Sequence, residues 1–194
     1  MKVYKTLKLP LVTTKEDETK LRILRKNWVD MEKTVLQSYG KYGYYELRRI
    51  YPNIHSQHAT LVPKVVQESL NSCLELCKIN CRTRFPKVRD DSTICLYQNT
   101  VKFTIKNGNI YVSIAFLSSG KGKRNPNNKI KLQINTTSEK YKKTLTLLIT
   151  KKYEHFRIRG TKLLERGNKW WLYVSVERDV LFKDWQNCQT FIGV

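Results

Sequence analysis

Residues 41–51, KYGYYELRRIY, set Tyr42, Tyr44, Tyr45 and Tyr51 among Lys41, Arg48 and Arg49. Aromatic rings give bases a surface to stack on and cations hold phosphates, so this interleaving suits single-stranded or flipped bases. A short helix with its tyrosines packed into a small core accounts for the same pattern, and composition alone does not separate the two. Cys73, Cys77 and Cys81 recur at helical spacing, along one face. A structural zinc site normally adds a second, distant pair of ligands. That pair is missing, so these thiols are expected to be small buried hydrophobes. His55 and His58 lack a nearby carboxylate or third ligand and are expected to be ordinary turn histidines. A different chemistry is offered by the run GKGKRNPN at residues 120–127: an exposed loop whose Lys121, Lys123 and Arg124 suit phosphate contacts, continued by Lys129 and Lys131.

The totals point the same way. In 194 residues there are 37 Lys+Arg against 16 Asp+Glu, a formal charge of +21. So strong a field favours a polyanion, most often nucleic acid, and makes binding salt-sensitive. The excess is heavier in the second half and densest from Lys121 to Lys169. A hydrophobic content of 40% supports a real core, in one large domain or two small ones. The five cysteines are an odd number, no secretory leader opens the sequence, and no run approaches the roughly 20 apolar residues of a membrane span. A cytoplasmic protein with reduced thiols and no membrane partner is the expectation.

Several elements must position these groups. Residues 2–9 alternate Val3, Lys5, Leu7 and Leu9 against Lys2, Tyr4, Thr6 and Lys8, a short strand with a basic outer face that Pro10 is expected to end. Thr13-x-x-Glu16 reads as a capping box. Leu21, Leu24, Trp28, Met31 and Val35 then form the apolar stripe of a helix running to about Gly40. The opposite face carries Arg22, Arg25, Lys26 and Lys33, either solvated or turned to nucleic acid. A second long helix is expected from residue 57 or 59 to about 80, with Pro63 in its first turn and Val62, Val66, Leu70, Cys73 and Cys77 buried. After a basic linker at 81–91 the sequence becomes a series of strands at 93–96, 101–105, 109–116, 129–134, 144–148, 155–164 and 169–176. Asn107-Gly108 signals a hairpin, and residues 165–168 another. The stretch 137–152 fits a short helix carrying Leu145, Leu148 and Ile149 as well as it fits a strand. In the last strand Trp170, Leu172, Val174 and Val176 alternate with Trp171, Tyr173, Ser175 and Glu177. A new apolar run, Phe191-Ile192-Gly193-Val194, closes the chain.

The strand K-W-W-L-Y-V-S-V-E followed by F-I-G-V resembles the junction before the nuclease domain of the transposon-encoded TnpB proteins and the small type V CRISPR effectors. R-F-P-K-V-R at 84–89 resembles the segment that joins the helical part to the barrel in that family, with Arg84 where the family often has Gly. Q-x-S-L at 67–70 and the opening strand are similar as well. The family run continues G-V-D-x-G, its Asp being the first metal-binding carboxylate of a RuvC-like nuclease, and this sequence ends one residue before it. The resemblance implies an α+β fold: an OB-like antiparallel β-barrel, the wedge domain, at 1–10 and 82–180, a helical recognition insertion after the first strand at 11–81, and a linker leading to a missing nuclease at 181–194.

What the resemblance implies for function follows from that layout. The chain would be the part of an RNA-guided DNA endonuclease that grips guide RNA and reads a short motif beside a double-stranded DNA target. It would not itself be an enzyme, and it would hold no cofactor, Mg2+ belonging to the absent nuclease domain. Gln67 aligns with a glutamine of the motif-reading helix, Lys64 lies about a turn earlier, and Gln98 with Asn99 resembles a polar pair near the motif. An amide can make two hydrogen bonds to adenine, and lysine can contact guanine or phosphate. Tyr42, Tyr44 and Tyr45 would pack on the duplex, and Lys121, Lys123, Arg124, Lys129 and Lys131 would touch backbone. Apolar surface facing the absent domain would favour a homodimer. The alternative is a stand-alone basic OB-type protein that binds RNA or single-stranded DNA without sequence specificity.

Overall fold

The computed structural model describes residues 2–80, 82–118, 128–136, 138–150 and 156–179. The chain opens with β1 (Lys2–Val12), then three helices, α1 (Lys15–Gln37), α2 (Tyr44–Ile50) and α3 (Ser56–Ile79). There follow β2 (Ile94–Leu96), β3 (Val101–Lys106), β4 (Asn109–Ala115), β5 (Lys129–Ile134), α4 (Glu139–Thr150), β6 (Phe156–Arg166) and β7 (Lys169–Asp179). The fold is α+β, with one seven-stranded antiparallel sheet in the order β2-β6-β7-β1-β5-β4-β3.

β1 holds the sheet together by serving two partners in succession. Lys2 to Pro10 pair with Asp179 to Trp171 of β7. Leu11 and Val12 then pair with Ile134 and Gln133 of β5. Pro10 therefore does not end the strand, as the sequence led us to expect; it marks the change of partner. A proline has no N–H to give to a ladder, and here its carbonyl accepts from the Asn135 amide at 2.9 Å. The two hairpins lie where their turn residues place them: Asn107-Gly108 between β3 and β4, and Gly167-Asn168 between β6 and β7, all four residues at φ between 50° and 74°, which matches the strand twist.

The sheet is open among the described residues, unlike the closed barrel that the resemblance implies. Its edges are β2 and β3, joined by a 3₁₀ turn at Gln98–Thr100. β2 is three residues long, too short to offer a closing ladder. The seam is covered instead by α4, which packs on both β3 and β6. Leu145 is buried, and Leu148 and Ile149 line a cavity of about 200 Å³ with Val101, Phe103 and Ile158. Within the ambiguous stretch, Glu139–Thr150 is thus helical, and there is no strand at 144–148. The hydroxyls of Thr144 and Thr150 donate back to the carbonyls of Lys140 and Thr146 at 2.8 and 2.9 Å, which lets these residues sit in a helix despite their strand preference.

α1 begins one residue later than its sequence suggests. Thr14, not Thr13, is the N-cap, and its partner is Asp17: the Asp17 amide donates to the Thr14 hydroxyl at 3.2 Å, and the Thr14 amide donates to the Asp17 carboxylate at 3.0 Å. The stripe Leu21, Leu24, Trp28, Met31 and Val35 is buried as expected. It joins Leu7, Leu9, Val112, Leu132, Leu172 and Val174 in a single core cluster shared by helices and sheet. α3 starts at Ser56, and the His55 side chain accepts from the Gln57 amide. Only the first half of its expected stripe is covered. Val62 and Val66 are buried, but Cys77 is exposed, as are Leu74, Leu76 and Ile79. The second half of α3 extends beyond the core, so Cys77 is not the buried hydrophobe that its spacing suggested and Cys73 is only half-buried, while Cys81 lies outside the described residues.

Candidate nucleic-acid interface

One basic surface free of carboxylates is the outer face of β3, β4 and β5. Ile110, Val112 and Ile114 of β4 face the core together with Ile130, Leu132 and Ile134 of β5. Strand alternation sends their neighbours to the other side. Directly paired residues share a face, so the register sets out that side in rows: Lys102, Ser113 and Lys131; Thr104, Tyr111 and Gln133; Lys106 and Asn109; Ala115 and Lys129. The four lysines are exposed. None of the three strands contributes a carboxylate, and the whole sequence between Asp91 and Glu139 has neither Asp nor Glu. The Lys131 ammonium stands 5.1 Å from the centre of the Tyr111 ring, a cation–π distance. Cations in this arrangement suit phosphates, with an aromatic ring among them.

Lys129 and Lys131 are among the residues the sequence puts forward for backbone contacts, and the register adds Lys102, Lys106 and Tyr111 to the same face. The signal for them was available in the alternation of VKFTIK and NIYVSIA around Asn107-Gly108. Lys121, Lys123 and Arg124 lie outside the described residues.

The helical candidates gather near the turn between α1 and α2. Tyr42 is exposed, and its amide donates to the Ser38 hydroxyl at 3.1 Å. Tyr44 and Tyr45 open α2, edge to face with ring centres 5.2 Å apart, and Tyr45 is 81% exposed. Tyr51 is the one that packs inward, its hydroxyl 2.9 Å from that of Thr34. The segment therefore divides its tyrosines, three outward and one at the core. Lys64 and Gln67, both exposed, stand one turn apart on α3. The Gln67 amide nitrogen donates to the Asn71 side-chain oxygen at 2.9 Å. Its Oε1 lies so close to Gly40 that a Cβ there would come within 2.9 Å. Gly40, at φ 77°, lets the turn that carries Tyr42 lie against Gln67.

Gln98 and Asn99 lie in the 3₁₀ turn, which packs on β3, β4 and β6. The Gln98 amide nitrogen donates to the Ile158 carbonyl, so this side chain helps hold the seam between the sheet's two edges. Gln67 sits instead on α3, which packs on α1, α2 and β2. Both glutamine amides thus spend a donor inside the protein.

Most cations of α1 have structural partners. Arg25 reaches Glu165 at 2.7 Å and stands 5.2 Å from the centre of the Trp170 ring; Arg22 reaches the same carboxylate at 3.7 Å; Lys33 reaches Asp90 at 2.8 Å. These tie α1 to β6 and to the linker that leads into β2. On the far side of the sheet Glu177, 1% exposed, receives both arms of Arg159 at 2.7 and 2.8 Å and lies 3.4 Å from Lys2. Its bonds to Arg159 outweigh its burial and, with Tyr4 and Lys2, bring its carboxyl down to about 2.

The histidines are not plain turn residues. His58 is fully buried, edge-on to Trp28, and its Nε2 lies 2.9 Å from the Ala115 carbonyl, so that nitrogen carries the proton. Burial drives its pKa down to about 4, against the upward pull of the Ala115 bond. The 53–55 segment is also stitched to the end of β4, by the Ser118 amide on the Asn53 carbonyl at 2.8 Å and the His55 amide on the Phe116 carbonyl at 3.2 Å. Among the described residues no group of three or more His, Cys, Asp or Glu is arranged to hold a metal ion, and no helix is long and apolar enough to cross a membrane.

No protein-family model matches the chain, and none of the curated proteins matches it.

Proposed function

We propose that this chain is a nucleic-acid-binding module that grips a folded guide RNA and the duplex it interrogates, as the wedge and recognition part of a TnpB-like protein, and that it performs no chemistry itself. The observation that carries this is the acid-free outer face of β3, β4 and β5, with Lys102, Lys106, Lys129 and Lys131 around Tyr111. The layout supports it further. Three helices stand between β1 and the rest of the sheet, β1 changes partner after Pro10, and α4 covers the seam between the two edges, an arrangement compatible with a partly open barrel of the OB type. In such a module base pairing by the RNA reads sequence, while the protein reads shape, charge and a short motif. Lys64 and Gln67 on α3 and Gln98 with Asn99 in the 3₁₀ turn, all exposed, are the groups for that last task, and the exposed Tyr42, Tyr44 and Tyr45 would pack on the duplex.

The test is filter binding over a salt series with a structured RNA and a random RNA of equal length. Tighter binding of the structured RNA, with a steep salt slope, is expected. Equal affinity for both would replace the guide-RNA reading with that of an unspecific OB-type binder. No salt-dependent binding of either would remove nucleic acid as the partner.

A further inference from the structure

We infer a second nucleic-acid site on the outer face of β1, β7 and β6: a stacking platform for a single-stranded segment, built on Tyr173 and Trp171 and flanked by Lys8, Lys162, Arg166 and Lys169. It rests on the nucleic-acid reading above, and adds to it the form of the ligand and the place where it lies. Leu9, Leu172 and Leu163 are buried in one row, and Leu7, Val174 and Thr161 in another. Their neighbours along the strands therefore share the opposite face. There the register sets Lys8, Tyr173 and Lys162 side by side across three strands, with Pro10, Trp171 and Leu164 in the adjacent row and Lys169 beside Arg166 in the next. Lys8, Lys162, Arg166 and Lys169 are all exposed.

Two residues apart on one strand face, the two rings stand about 7 Å from each other, a spacing that lets each take one base. Stacking of this kind needs bases whose faces are open, which a duplex withholds. The charge fits a phosphate backbone, because each ring row ends near a cation and, of the two carboxylates farther along β7, Glu177 is already held by Arg159 and Lys2 and Asp179 lies opposite Lys2 in the register, three rows beyond Tyr173. The track also has a continuation. Lys162 pairs with Cys95 of β2, and both line a groove of about 570 Å³ between that edge and α3, bordered by Ser69, Ser72 and Arg84, with Glu68 as the one carboxylate in its lining.

The experiment measures the binding of labelled oligo(U) and oligo(dT) of about a dozen nucleotides, near the site sizes of single-strand binders, and of a duplex of equal length. The proteins are wild type, Tyr173→Leu, Trp171→Leu, Lys8→Gln/Lys162→Gln and, on the other face, Lys102→Gln/Lys131→Gln. Each ring change is expected to weaken oligomer binding by about 5- to 150-fold, the equivalent of one lost stack, with the salt slope and duplex affinity unchanged. The Lys8/Lys162 pair should lower the slope by about 0.7 per lysine. A preference for either oligomer assigns the sugar and supports the platform equally. If the ring variants keep wild-type affinity while the Lys102/Lys131 variant loses it, the platform is overturned and the basic-face reading stands. If wild-type protein binds no nucleic acid, both fall. Should a ring variant fail to fold, as seen in its circular dichroism, the exposed Lys8/Lys162 pair decides, and an unchanged slope there also overturns the site.

Discussion

Replacing Lys102, Lys106, Lys129 and Lys131 together by glutamine removes the charge from the β3–β5 face while leaving the core rows behind it untouched. If each lysine neutralises one phosphate, the slope of log affinity against log salt falls by about 0.9 per contact on duplex and about 0.7 on a single strand. For the four that is a loss of about 3.6 or about 2.8, and at 0.15 M salt this amounts to roughly a 1,000-fold or a 200-fold weaker complex, about 4 or 3 kcal/mol. The deficit should shrink steadily as salt rises toward 1 M. The assay is fluorescence anisotropy at five or more salt concentrations, with an α1 control, Arg22→Gln/Lys33→Gln. Those two cations already face Glu165 and Asp90, so the control slope should match wild type. An unchanged slope in the fourfold variant, or an equal fall in the control, would refute the assignment of this face.

Further outcomes follow from particular contacts. His58 titrates at about 4 in the fold and near 6.5 when unfolded, so the unfolded chain takes up its proton first and stability falls with pH between those values, by about 2 kcal/mol from pH 7 to pH 5. Urea unfolding at both pH values should show this, with His58→Phe flatter; His55, also lowered by burial, keeps part of the slope, and Glu32, raised by burial, opposes it. An identical slope in wild type and variant counts against the assignment. Glu177 runs the other way on the scale: its lowered carboxyl contributes stability above its ordinary value that is lost as pH falls toward about 2. Glu177→Gln should therefore melt lower than wild type at pH 7, and the gap should close at pH 2; a constant gap means the charge is not what matters. Gly40→Ala should cost about 1–3 kcal/mol, since φ is 77° and the new Cβ would meet Gln67 Oε1 at 2.9 Å and Leu70 at 3.2 Å. Gly108→Ala, with a similar φ but nothing within 4 Å, should cost less, and equal melting temperatures would dismiss the role of the Gln67 contact.

What could be seen in the residues was local. The stripe of α1, the two hairpin turns, and the alternation of β1 and β7 follow from spacing and turn chemistry acting over a few neighbours. So does the basic alternation of β5, because side chains of a strand must take opposite faces whatever the partner. Tertiary structure decided whatever depends on who the neighbour is. Pro10 looked like a stop because a proline cannot donate, yet its strand continues, since β5 and not β7 takes over the ladder there. Residues 139–150 could be strand or helix until β3 and β6 left an uncovered seam for one apolar helical face. The cysteines of α3 have the spacing of buried residues, but the core ends before the helix does. The resemblance puts Gln67 and Gln98 forward as amides that can pair with adenine; both are exposed, and each directs one donor to a partner in the protein, Gln67 to Asn71 one turn on in α3 and Gln98 across the fold to Ile158. Sequence set the charge and its alternation, a property of the chain alone. Only the folded sheet, by registering Lys102 and Lys131 across Ser113 and Lys8 and Lys162 across Tyr173, turned scattered lysines into surfaces a phosphate backbone can follow.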